Sequence, residues 1–207
     1  GEIDMKIILL RHGESVDDIL DCYGGAADYE LSENGKNTAR RVADLLRDKQ
    51  IDAIYSSPLK RAYQTAAIVD NVKHCGVYIA EHLYERNSYG VMSGTNKDEC
   101  KKIFGYLLNE VKGKVGDYYS GELVLGAEPL KDFDERVKQG MVEVTEDATR
   151  KGYTHIAIVT HGNVTRSIYK NILNVSGKID LDLLAITELE YKDGCYTIEN
   201  NSGITIK

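Results

Sequence analysis

Long apolar runs are what this 207-residue sequence most plainly lacks. No stretch approaches the roughly 20 consecutive apolar residues a membrane-spanning helix needs. The opening Gly1-Glu2-Ile3-Asp4 has neither the basic start nor the apolar centre of a secretory signal. Residues ahead of Met5 read as an expression scar, and the expected address is the cytoplasm. Cysteine is sparse and dispersed: Cys22, Cys75, Cys100 and Cys195 form no C-x-x-C pair, which argues against a zinc site and a disulfide framework. Positive charge is also in deficit, with 26 Lys and Arg against 33 Asp and Glu, a net charge of −7. Nucleic acid and anionic membrane both reward a basic face, so neither is expected as a partner. Internal repeats, low-complexity tracts and linkers are missing too, and a single domain over residues 1–207 is expected.

What is present centres on two buried strands with similar endings. Lys6-Ile-Ile-Leu-Leu10 lacks polar alternation, as a strand covered on both faces does, and it runs into Arg11-His12-Gly13-Glu14. The second run, His155 to Val159, ends in Thr160-His161-Gly162-Asn163. Functional groups in an α/β sheet collect where such strands end. An arginine offers a rigid fork of donors suited to phosphate, and a histidine beside it can serve as nucleophile or proton carrier near neutral pH. Together they point to phosphoryl chemistry.

Between these runs the chain alternates helix and strand signals. Ser32 is a plausible N-cap for a helix carrying Ala39, Val42, Ala43 and Leu46 on one face and running to about Lys49. Ile51 to Tyr55 reads as a strand. Ser57-Pro58 then signals a helix start, with serine at the cap and proline at the first helical position, which places Arg61 in the first turn. Val77 to Leu83 is a third strand candidate. Thr95 with Asp98 resembles a capping pair opening a helix with Cys100, Ile103, Phe104, Leu107 and Leu108 inward. The glycines from 113 to 126 and Pro129 predict a long loop from Val111 to Lys131. Phe133, Val137, Met141, Val144 and Ala148 mark another helix, and a further one follows Asn163 to about Leu173. The tail reads as two strands, Ile186 to Tyr191 and Tyr196 to Glu199, joined by a turn. This alternation predicts an α/β domain with helices on both faces of a mostly parallel sheet.

Taken together, Arg11-His12-Gly13-Glu14, Ser57-Pro58-Leu59-Lys60-Arg61-Ala62 with Thr65-Ala66, Glu85-Arg86 before Tyr89-Gly90, and Thr160-His161-Gly162 resemble the histidine phosphatase superfamily, in its phosphoglycerate-mutase-like branch. The matching segments run from Lys6 to about Arg166. The resemblance implies a three-layer α/β/α sandwich. It makes His12 the nucleophile that forms a phosphohistidine, with Arg11 and Arg61 clamping the phosphoryl oxygens, His161 completing the positive pocket and Glu85 acting as general acid and base. It also implies substrate contacts from Asp18, Gly24, Gly25, Arg86, Tyr89, Lys97, Gly162 and Asn163. Asp18 departs from the asparagine usual in the mutases, and one extra residue between Glu85 and Lys97 disturbs the register of Tyr89 and Lys97. Glu14 belongs to the motif or simply caps and pairs within its loop. His74, His82 and His155 match no motif and read as surface or packing residues.

No metal is expected, because arginines and histidines already supply positive charge and no carboxylate cluster is evident. Mutases of the family carry paired arginines over the active site, whereas this chain has no arginine between Arg86 and Arg136, and its corresponding loop offers only Lys112, Lys114 and Lys131. The expected activity is therefore hydrolysis of a small phosphomonoester, without a cofactor. The alternative is a phosphoglycerate mutase primed by 2,3-bisphosphoglycerate, and a remoter one is a non-catalytic binder of phosphorylated ligands. The expected partner is a small phosphorylated metabolite; oligomeric state stays open, a homodimer included.

Overall fold

The computed structural model describes residues 4–114 and 124–207, with backbone alone for 107–114. Strand β1 (Asp4–Arg11) is the axis of the sheet. Its side chains alternate between two cores: Met5, Ile7 and Leu9 enter one, Ile8 and Leu10 the other. Burial on both faces accounts for the unbroken apolar run. Strands β2 (Ala53–Ser56), β3 (Val77–Ile79) and β4 (His155–Thr160) join it in the order β3-β2-β4-β1, all parallel. Strands β5 (Ile179–Lys192) and β6 (Cys195–Ile206) extend the other side of β1 as an antiparallel hairpin, giving six strands.

Helices α5 (Leu130–Arg150) and α6 (Gly162–Asn171) cover one face, where Phe133, Val137, Met141, Val164 and Ile168 pack on the first set of strand residues. Helices α2 (Glu33–Leu45) and α3 (Lys60–Lys73) cover the other through Ala43, Ala62, Ala66 and Val69. Two helical layers around one sheet make the expected α/β/α sandwich. The small Ala62 and Ala66 of α3 let it lie close to β2 and β4, and its first turn is brought near their ends.

Several boundaries differ from expectation for identifiable reasons. Ser32 does cap α2, accepting from the Gly35 amide at 2.9 Å, but α2 stops at Leu45 rather than near Lys49. Helix α3 begins at Lys60 with Leu59 as the capping residue, while the Ser57 hydroxyl lies against His161 and accepts only from the Leu59 amide. Strand β3 ends at Ile79: Ala80 still donates to Ser56, and the chain then turns. Helix α4 (Lys97–Lys114) is capped by Asn96, not Thr95, since Asn96 Oδ1 accepts from the amides of Asp98 and Glu99. Of its expected inward residues Cys100 is buried and Ile103 is exposed, while the side chains of Leu107 and Leu108 lie outside the described residues. The loop expected over 111–131 is shortened by α4 and α5 at either end, and 115–123 fall outside the described residues. A five-residue helix, α1 (Val16–Leu20), was not foreseen.

Candidate active site

The register of the parallel strands assembles the centre. Arg11 pairs with Thr160 across β1 and β4, so His12 and His161, one residue beyond each, emerge side by side. Their rings meet edge to face, with centroids 5.1 Å apart and planes at 60°. Ser56 pairs with Val159 across β2 and β4, and the Ser57 amide donates to the Val159 carbonyl, which brings the α3 leader to the same place. The first loop is held by close approach: the amide of Gly13 donates to Thr65 Oγ1 of α3 at 3.2 Å, and any side chain at Gly35 would run into the Glu14 carbonyl.

His12 is buried, and its Nδ1 lies 2.7 Å from the Gly13 carbonyl. A carbonyl oxygen only accepts, so Nδ1 carries the proton and Nε2 presents a lone pair. Arg61 Nε–H donates to that Nε2 at 3.3 Å. Burial, with help from the Arg61 and Arg11 charges, holds the ring far below the usual imidazole value, at about 3. His12 is thus neutral throughout the ordinary pH range.

Arg61 is itself buried; its Nη1 and Nη2 donate to the carbonyls of Ala27 and Gly25 at 2.7 and 2.8 Å, tying the Gly24-Gly25 loop to the site. Arg11 reaches across the sheet to the Leu181 carbonyl at 2.6 Å, while its buried Nε has no protein partner. Both guanidinium groups spend their bonds on neutral carbonyls rather than carboxylates, so their charge stays available to an anion.

His161 is fully buried and its Nε2 lies 2.7 Å from Ser57 Oγ; Nδ1 is buried with no partner. Burial first, then the charge of Arg61, holds this ring well below its ordinary value. Glu85 is oriented by two backbone amides, Arg86 N to Oε1 at 2.8 Å and Asn163 N to Oε2 at 3.2 Å.

These groups surround a cleft of about 230 Å³ lined by Arg11, His12, Arg61, Glu85, Gly162 and Asn163. Asp18, Gly24, Gly25, Tyr89 and Lys97 also line it, despite the disturbed register. Tyr89 packs against Tyr23 at 4.4 Å between centroids, and Lys97 Nζ pairs with Asp21 at 3.1 Å. Asp18 Oδ2 accepts from the Ser15 amide at 3.0 Å. Arg86 does not line the cleft: its Nε and Nη2 both donate to the Glu128 carbonyl. Glu14 turns into its own loop, where Oε1 accepts from Ser32 Oγ at 2.6 Å. His161 is fully buried beside the His12 ring and is not among the residues that line the cleft.

Sequence reasoning missed Tyr23, Asp17 and Arg166, all on the cleft wall. Arg166 was within reach of it, because it follows Asn163 by three residues on α6 and so shares its face; Nη1 donates to Asn163 Oδ1 at 3.2 Å. Tyr23 carries no local signal: it arrives through the Cys22–Asn96 bridge. Among the described residues, no group of three or more His, Cys, Asp or Glu is placed to hold a metal ion. No helix among them is long and apolar enough to cross a membrane.

The model of the histidine phosphatase superfamily (branch 1) matches residues 7–202. The chain belongs to that superfamily. A 2,3-bisphosphoglycerate-dependent phosphoglycerate mutase of Bifidobacterium longum (strain DJO10A) is 31% identical, the match covering 83% of this chain and 78% of the relative. Phosphoserine phosphatase 1 of Hydrogenobacter thermophilus is 32% identical over 83% of this chain and 77% of its own length. Among solved structures, the phosphoglycerate mutase from Bacillus anthracis str. Sterne superposes with a TM-score of 0.82 at 23% identity, covering 95% of this chain and 92% of that one. The alpha-ribazole phosphatase from Shigella flexneri follows at 0.79 and 20%, with 94% and 95% covered. Relatives of both kinds, a mutase and a phosphatase, support this superfamily member being an enzyme, and the two structures share its fold.

Proposed function

We propose that this histidine phosphatase superfamily member hydrolyses a small phosphomonoester through a phosphohistidine on His12. The observation that carries the reading is the state of His12: neutral, its Nδ1 proton committed to Gly13 and its Nε2 lone pair held only by a long, exchangeable bond from Arg61. As substrate binds, Arg61 exchanges its bond to Nε2 for one to a phosphoryl oxygen, freeing the lone pair, and Arg11 takes another oxygen. Nε2 then attacks phosphorus in line and the bond from phosphorus to the leaving oxygen breaks. Protonated Glu85 gives the leaving oxygen its proton; as carboxylate it removes one from the water that next attacks the phosphohistidine. Phosphate departs and His12 returns to its neutral form.

Hydrolysis is favoured over mutase action by the distribution of arginine. None lies between Arg86 and Arg136, and both of these are engaged around Glu128, Arg136 through its carboxylate and Arg86 through its carbonyl. A mutase must hold a second anionic group and keep water from the phosphohistidine. The mutase reading draws on the 31% identity to a mutase and on Tyr89 and Lys97 in the cleft. One phosphorus NMR time course separates the two, with 3-phosphoglycerate and a trace of 2,3-bisphosphoglycerate. Phosphate release without isomerisation, or release only from other phosphomonoesters, is the expected result. Fast isomerisation with little phosphate would make the enzyme a mutase. No turnover and no acid-labile, alkali-stable phosphoenzyme would favour a non-catalytic binder.

A further inference from the structure

The two bonds of the Ser57 hydroxyl have a consequence for His161. Ser57 is fully buried, and its Oγ accepts from the Leu59 amide at 3.2 Å while lying 2.7 Å from His161 Nε2. The second contact can run in either direction, and the two directions leave different atoms unsatisfied. If Nε2–H donated to Ser57, the serine proton would be buried without an acceptor, and His161 Nδ1, the unpartnered nitrogen of a ring edge-on to His12, would be a bare lone pair. An unpaired buried donor costs about 1–3 kcal/mol in either case, the serine proton in the first and Nδ1–H in the second, so it is the anionic ligand that separates them. A lone pair would also repel a phosphoryl oxygen. If Ser57 donates to Nε2, every group is paired except Nδ1–H, the buried atom with no protein partner.

We infer that Ser57 is a positioning residue: its hydroxyl donates to His161 Nε2 and so fixes the tautomer in which Nδ1–H is aimed at the transferring phosphoryl group. The inference rests on the phosphoryl-transfer reading of this site but not on the choice between water and a second hydroxyl as acceptor. Ser57 touches no substrate; it acts through the ring. His161 remains neutral while doing so, since burial beside Arg61 disfavours its charged form. The phosphoryl group thereby receives a donor without a second buried cation having to form next to Arg61.

The test begins with the unmodified enzyme, labelled with ¹⁵N-histidine. A two-bond ¹H–¹⁵N correlation at pH 7 should show the His161 proton on Nδ1, and saturating inorganic phosphate should shift that resonance. A proton on Nε2, or an Nδ1–H that bound phosphate leaves unmoved, overturns the inference before any variant is made. Ser57→Ala should then mix the two tautomers and slow phosphoenzyme formation roughly 10- to 100-fold, the scale of lost orienting partners. Ser57→Thr, which keeps the hydroxyl, should restore most of it. A variant with lowered melting temperature but unchanged tautomer and rate would make Ser57 merely structural and overturn the assignment. If the enzyme formed no phosphohistidine although the tautomer and phosphate shift were as stated, the reaction reading would fail and the donor assignment would stand.

Discussion

His12 and His161 reach the site by the same route and are held in opposite ways. Both follow an apolar strand, both precede a glycine, both are buried, and in both rings burial favours the neutral form. His12 is gripped at Nδ1 by a backbone carbonyl, which leaves Nε2 for chemistry; His161 is gripped at Nε2 by a hydroxyl, which leaves Nδ1. A nucleophile needs a lone pair and an electrophilic helper needs a proton. The difference between the rings therefore lies in which nitrogen the surroundings occupy.

The sharpest way to break this comparison is to remove each ring in turn. His12→Ala should abolish phosphoenzyme formation, a loss of at least roughly 1,000-fold as for other covalent nucleophiles. His161→Ala should lower the rate by about 10²–10³, the usual loss for one transition-state donor, and still give an acid-labile phosphoenzyme. Labelling that survived the first change and vanished with the second would exchange the two roles.

Glu85→Gln, next in size, should slow cleavage of an alkyl phosphate about 100-fold and that of nitrophenyl phosphate much less, because a good leaving group needs no proton. Equal slowing of both would remove the acid from Glu85.

The shared neutrality of the rings sets a pH dependence. For His12 the folded value of about 3 lies below its ordinary 6.5, so the unfolded chain binds the extra proton first. Its contribution to stability is complete above about 6.5 and is lost progressively as pH falls towards 3. The urea midpoint should drop between pH 7 and pH 4, and the drop should shrink in His12→Gln; an equal drop in both proteins would separate the ring from the effect. Asp18→Asn is the smallest change. It keeps an oxygen for the Ser15 amide, removes a negative charge from the cleft wall and should lower KM for a phosphomonoester about 2- to 3-fold, as expected of one screened surface charge. A raised KM would mean that the carboxylate itself contacts substrate.

The sequence was informative wherever one residue type had one local cause. The unbroken run before Arg11 marked β1 as a strand covered on both faces, Ser32 capped α2 as expected, and Phe133 to Ala148 defined the buried stripe of α5. Arg11, His12, Arg61, Gly162 and Asn163 come together because each stands at or just past a strand end or a helix start, whereas Glu85 lies in the loop beyond β3 and is held there by the amides of Arg86 and Asn163. Reasoning failed where tertiary contacts made the choice. Arg86 follows Glu85 directly, yet only the fold reveals that its fork is drawn to Glu128. Ser57 carried a cap signature, but the register of β2 on β4 delivers it to His161, leaving Leu59 to open α3. Asn96 displaced Thr95 as a cap because its amide oxygen reaches two amides, a contest that spacing alone does not decide.

The irregularity of β5 between Leu181 and Ile186 touches the site twice: the Leu181 carbonyl accepts from Arg11, and the amide of Leu184, at φ 58°, donates to the His12 carbonyl at 3.2 Å. Everything else that holds His12 and Arg61 lies within residues 4–173. A chain emerging from the ribosome could thus assemble the parallel strands and both histidines while Arg11 still lacked its anchor. Only when the hairpin has zipped onto β1 is that guanidinium fixed, so the order of chain synthesis puts the anchoring of Arg11 after the pairing of the parallel strands.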